Sequence, residues 1–240
     1  MNQEVVFQPF QLDGYECVVY HPKQNSSEQL PTVYLQDGKQ VLNDLEEWLK
    51  EKVPQLVIVF IEPKNRWDEY SPWKEKAPEG MPFDFGGKAS EYIQWLVSRA
   101  IPYVEENYPV SREVTHRIIG GYSFGGLVSL YSGYINADFG AILSCSTSFW
   151  YPEFLDYVLN HSLKKQVHLY MSVGDAEGKT SPLINQKQVP YTFEAKEHYE
   201  NTLGKELVTF VTHEGDHRDR IPEKLSSAIK FIFLIGIKEE

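Results

Sequence analysis

The chain has 240 residues, 42% of them hydrophobic and 24% charged, which suits one domain spanning 1–240 with a sizeable core and leaves no room for a second. A net charge of −11 argues against nucleic acid, which needs a basic footprint. Two cysteines, Cys17 and Cys145, cannot build a disulfide framework and lack C-x-x-C spacing.

Two β-rich pieces open the chain at 5–8 and 15–20 and read as antiparallel strands. A polar turn (KQNSSEQ) leads to buried-strand runs at 32–36 (TVYLQ) and 56–61 (LVIVFI). Between them, 41–50 carries Leu42, Leu45 and Leu49 at helical spacing. Residues 63–87, rich in Pro, Gly and aromatics, hold no period and read as a long loop, of a length usually either functional or disordered. A helix follows over 88–107, with Pro102 expected to kink it. From there strands at 117–121, 141–146, 167–173 and 207–212 alternate with helices at 124–134, 151–160, 192–203 and 222–237. That alternation predicts an α/β fold with a mainly parallel sheet of about eight strands, covered by helices on both faces. The most hydrophobic tract, residues 228–237 (AIKFIFLIGI), is too short to span a bilayer. With no signal-peptide pattern at the N-terminus, the expectation is a cytoplasmic protein that does not engage the membrane.

The run Gly120-Gly121-Tyr122-Ser123-Phe124-Gly125 contains G-x-S-x-G between an apolar strand and a helical segment, the context a nucleophile elbow requires. Glycines at 121 and 125 free the space that a strained strand-to-helix turn needs. Ser123 is therefore the candidate nucleophile, and the Phe124 N–H the first oxyanion donor. The serine needs a base, which in this chain order follows the last strand. The segment Thr212-His213-Glu214-Gly215-Asp216-His217 offers His213, still on the strand end, and His217, deeper in the loop and favoured as the base. The same residues spell H-E-x-x-H, but a zinc site needs both histidines on one helical face. Here a β run enters the motif and Gly215 sits inside it, so no metal is expected. The orienting acid should lie after 167–173, where Asp175 and Glu177 both stand. Glu177, further out, is favoured to reach the histidine loop, while Asp175 is the alternative and suits a turn-shaping role.

Together these pieces resemble the putative esterase (esterase D-like) family of α/β hydrolases, nearest its single-domain enterochelin-esterase-like members. The resemblance rests on VYLQDG (33–38), R-x-x-E-Y-S-P (66–72), GGYSFGGL (120–127), STSFW (146–150) and G-D-H (215–217). It implies Ser123 and His217 as nucleophile and base, an acid that is often Glu and so fits Glu177, and the Lys39 N–H as second oxyanion donor. Arg66 and Trp150 fall in the family's motifs and are expected at the substrate pocket. Trp67, Tyr70 and Trp73, from the long loop, are candidates for its wall, with core packing open for each. Thr147 stands where the family has Pro, and Arg218 follows the histidine instead of the usual Asp-x-x-Trp, both bearing on pocket shape.

The expected activity is serine-dependent hydrolysis of a small-molecule carboxylic ester with no cofactor. A siderophore esterase, or a thioester hydrolase of the S-formylglutathione type, is the alternative within the class. A binding module that kept the fold and lost activity is the alternative outside it. A homo-oligomer stays open.

Overall fold

A computed structural model describes residues 4–23, 29–79, 82–179 and 186–236. The two opening pieces form the antiparallel hairpin β1 (Val5–Leu12) and β2 (Tyr15–Pro22). Beyond them come β3 (Thr32–Gln36), β4 (Val57–Glu62), β7 (Arg117–Tyr122), β8 (Ala141–Cys145), β9 (His168–Gly174) and β10 (Val208–His213). The eight make one sheet in the order β1-β2-β4-β3-β7-β8-β9-β10, with every pairing from β4 to β10 parallel. A two-stranded ribbon, β5 (Lys74–Glu75) and β6 (Phe85–Gly86), lies apart.

Period-2 alternation sends neighbouring residues of each buried strand into two different cores. Val33, Leu35, Ile58, Phe60, Ile118 and Leu143 pack against α1 (Gly38–Lys52) and α8 (Ile221–Leu234). Tyr34, Val59, Ile119, Ile142 and Met171 pack with α3 (Ala89–Trp95), α4 (Ile101–Asn107), α5 (Phe124–Ile135), α6 (Phe154–Asn160) and α7 (Gln188–Thr202). This is the doubly covered parallel sheet that the alternation of strands and helices predicts.

Local departures have local causes. The expected kink at Pro102 is instead a π-helical stretch at Leu96–Ala100, where the Ile101 N–H reaches back five residues to Leu96 O. The widened turn delivers Pro102 to the opening of α4, where its missing N–H leaves no bond unmade. The long loop is not bare: α2 (Arg66–Glu69) is capped by Asn65, whose side chain accepts from the Trp67 and Asp68 N–H groups. Most of the KQNSSEQ turn and the last residue of the 222–237 helix lie outside the described residues. No helix among the described residues is long and apolar enough to cross a membrane.

The strand order reverses between β3 and β7. In an open parallel sheet, the crevice at the carboxyl ends of strands flanking such a switch is where ligands bind. Asp37 leaves β3 there, and Ser123 leaves β7.

Candidate active site

Ser123 occupies φ 61, ψ −116 between β7 and α5, a strained conformation for a residue with a side chain. It is held by its own N–H, bonded to Cys145 O at 2.9 Å, and by its carbonyl, which accepts from Leu127 N at 3.0 Å. The flanking glycines have a steric basis. A Cβ on Gly121 would lie 2.5 Å from Gly125 C, and one on Gly125 would press on Gln36 and the Asp37 carboxylate at 3.0 and 3.1 Å. The turn leaves the serine hydroxyl at the N-terminus of α5, where the first N–H groups lack intrahelical acceptors. Phe124 supplies the first of these.

His217 Nε2 lies 3.0 Å from Ser123 Oγ, and its Nδ1 lies 2.8 Å from Glu177 Oε2. The other Glu177 oxygen, Oε1, accepts from Ser146 Oγ at 2.5 Å, Gly174 N at 2.7 Å and Lys224 Nζ at 3.1 Å. The Glu177 side chain is wholly buried. Burial by itself raises a carboxyl's pKa, but the bonds and charges of His217 and Lys224, with Ser146, outweigh it and hold the group below its ordinary value. An ionised carboxylate only accepts, so the Nδ1 facing it must carry the imidazole proton. Nε2 is then left with a lone pair toward the serine hydroxyl, the tautomer a general base needs.

Asp175 does something else. Its Oδ1 accepts from Gly215 N at 2.9 Å, latching the loop after β9 to the loop that carries His217. Further ties run from Ala176 N to Gly215 O at 3.0 Å and from Gly178 N to Asp216 Oδ1 at 3.2 Å. His213 closes β10, and the residues after it form turns before α8, so the H-E-x-x-H residues do not share a helix face. Among the described residues no group of three or more His, Cys, Asp or Glu could hold a metal ion.

Two expected residues are placed elsewhere. The Lys39 N–H donates to Glu62 Oε2 at 2.8 Å. Lys39 sits in the first turn of α1, which Glu62 at the end of β4 faces, so its donor is spent away from the elbow. Tyr70 is fully buried. Its hydroxyl accepts the Asp37 N–H at 3.0 Å, and its ring packs against Tyr92. Arg66 grips Asp37 with two bonds, Nε–Oδ1 at 2.7 Å and Nη2–Oδ2 at 2.8 Å, and its guanidinium lies 5.3 Å from the Trp67 ring and 5.5 Å from Phe124. Trp67 meets Phe124 edge-on at 5.1 Å, and Trp150 meets it at 5.5 Å. Arg66, Trp67 and Trp150 thus gather around the residue that follows Ser123. Trp73 is partly buried and packs against the core, among Tyr131, Tyr151, Phe154 and Tyr157.

Sequence reasoning missed how STSFW works. Ser146 supports Glu177, while Ser148 Oγ lies 3.3 Å from Ser123 Oγ. Tyr122 was also missed: its hydroxyl donates to His217 O and its ring packs on the imidazole. Lys224 was missed as well, because a lysine in the first turn of an amphipathic helix carries no sequence sign of burial.

A family model described as Putative esterase matches residues 13–219. The chain belongs to that family. It is a carboxylic ester hydrolase on the α/β-hydrolase fold. It is 35% identical over 169 residues to the uncharacterized protein YbbA of Bacillus subtilis (strain 168), a match covering 68% of each chain. Among solved structures it is similar to an IroE-like serine hydrolase from Shewanella oneidensis, with TM-score 0.78, 21% identity, and coverage of 97% of this chain and 80% of that one. It is also similar to the siderophore hydrolase EstA from Aspergillus nidulans, with TM-score 0.69, 19% identity, and coverage of 98% and 95%.

Proposed function

We propose that this esterase works through an acyl-enzyme on Ser123, with His217 as general base and Glu177 as the acid that orients it. The observation that carries the reading is the relay from Ser123 Oγ to His217 Nε2 at 3.0 Å and from His217 Nδ1 to Glu177 Oε2 at 2.8 Å. Ser123 Oγ attacks the ester carbonyl carbon as Nε2 takes its proton. The carbonyl oxygen becomes an oxyanion at the N-terminus of α5, where the Phe124 N–H donates to it. Collapse of the tetrahedral species breaks the bond to the alcohol oxygen, which leaves with the proton from Nε2. Water then loses a proton to Nε2, attacks the acyl carbon and releases the acid, restoring the Ser123 hydroxyl.

A second substrate reading is a siderophore ester. It is favoured by the Trp67 and Trp150 rings gathered around Phe124 beside the elbow, a setting suited to an ester with an aromatic group. The fold is shared with a siderophore hydrolase, and a hydrolysis profile of simple esters against iron-free and ferric siderophores separates the two readings.

The mechanism is tested on Ser123→Ala with p-nitrophenyl acetate. Loss of kcat on the order of 10⁴-fold or more is expected, together with a single phosphonate adduct on Ser123 in the wild type and no effect of EDTA. A variant keeping a tenth of the activity, or activity lost to EDTA and restored by zinc, refutes it.

A further inference from the structure

Lys224 is a buried cation with no part in the chemistry above. It lies in the first turn of α8, two residues after Pro222, and its side chain has no exposed surface. Both placements are unfavourable: an ammonium loses its hydration in the interior, and a helix N-terminus repels positive charge. Its three N–H groups nevertheless find three acceptors, Glu177 Oε1 at 3.1 Å, Asp216 O at 3.0 Å and His217 O at 3.1 Å. Two of the three are backbone carbonyls of the loop that carries the imidazole, and the third is the acid that the imidazole faces. An apolar side chain would fill the same space without the desolvation, so the placement calls for an explanation in the site.

We infer that Lys224 is a positioning residue for the catalytic histidine, a cation that fixes the His217 backbone to Glu177 and keeps that carboxylate ionised. The inference rests on the triad proposed above. Oε1 sits at the centre of the network, and Lys224 is its only cationic donor among the described residues. With Lys224 in place, a proton arriving at the Glu177–His217 pair meets a neighbouring positive charge. Without it, the pair holds a proton more tightly. The acid limb of the pH–rate profile should therefore move to higher pH when Lys224 is neutralised.

Other titratable groups packed around Glu177 are His213 on β10, Tyr122 on β7 and Cys145 on β8. Burial raises Tyr122 strongly and pushes the Cys145 thiol up to about 12, so neither titrates in the assay range. His213 is pushed down by burial and then by Lys224, so His213→Gln is the control background.

The test is Lys224→Met, measured as kcat and KM on p-nitrophenyl acetate across pH 5–9, beside Ser123→Ala and Glu177→Gln. Expected are a fall in kcat of about 10²-fold, KM within about twofold, and an acid limb displaced upward by about one pH unit, with the displacement kept in His213→Gln. Because Lys224 and Glu177 act in one network, the double variant Glu177→Gln, Lys224→Met should lose less than the product of the two single losses. An unmoved limb, or full additivity in the double variant, makes Lys224 merely structural and overturns the inference. If Lys224→Met does not fold, Lys224→Gln, which keeps a donor without the charge, is read by the same limb. Residual activity in Ser123→Ala would instead strike the triad, so the two failures are distinguishable.

Discussion

Replacing Glu177 by Gln changes one oxygen for an amide and should disable the enzyme by tautomer. The Oε1 position receives three donors, Ser146 Oγ, Gly174 N and Lys224 Nζ. An amide has one oxygen, and turning its NH₂ toward those donors would forfeit three bonds at about 1–3 kcal/mol each. The oxygen must therefore stay at the Oε1 position, and the NH₂ must face His217 Nδ1. Nδ1 then has to accept, the imidazole proton moves to Nε2, and Nε2 at 3.0 Å from Ser123 Oγ can no longer take the serine proton. Amidation of the acid in the chymotrypsin triad lowers kcat by about 10⁴ through the same inversion, equivalent to about 5.4 kcal/mol in the barrier. A loss of about 10³- to 10⁴-fold is expected here, with KM little changed because nothing that touches the substrate has moved. Asp175→Asn keeps the oxygen that accepts from Gly215 N, and its kcat should stay within about threefold of wild type. Steady-state kinetics on p-nitrophenyl acetate, with circular dichroism as a folding control, decides the matter. Glu177→Gln retaining a tenth of the activity, or Asp175→Asn losing more than Glu177→Gln, refutes the argument.

Arg66→Met leaves the Asp37 carboxylate, only 11% exposed at its side chain, without its bidentate partner. It should lower unfolding free energy in urea by about 3 kcal/mol, and a variant as stable as wild type would show that the pair contributes nothing net. The Glu177 carboxyl is held below its ordinary value in the folded state. Its contribution to stability is therefore complete above the unfolded pKa and is lost as pH falls through the folded one. Melting temperatures of wild type should accordingly drop more steeply below about pH 4.5 than those of Glu177→Gln, and parallel curves contradict the sign.

Much of the fold was legible because its signals are local. Short apolar runs at 32–36, 56–61, 117–121 and 141–146 read as buried strands, and their alternation with amphipathic helices pointed to a mainly parallel sheet. Gly121, Ser123 and Gly125 were legible for the same reason: the strain of the elbow is relieved by residues two positions away. The loops after β9 and β10 could be named as carrying the candidate acid and the candidate base, since both leave the sheet at the edge where Ser123 stands.

What the chain order left open was which polar atom meets which across elements far apart in sequence. Asp175 and Glu177 are two residues apart, and only packing shows that the first meets the Gly215 N–H while the second reaches His217. The Lys39 N–H was assigned by position after Asp-Gly, but the left-handed turn at Asp37 aims it at Glu62 on a neighbouring strand. Tyr70 carried the composition of a pocket wall, yet its hydroxyl is consumed by the Asp37 N–H inside the core. Lys224 was the least legible, because a lysine in a first helical turn ordinarily faces water. Only the convergence of Glu177 Oε1 with two loop carbonyls supplies the three acceptors that let an ammonium stay buried. Local backbone geometry is written in nearest neighbours, whereas the satisfaction of a buried polar group depends on atoms that the sheet brings together from elements far apart in sequence.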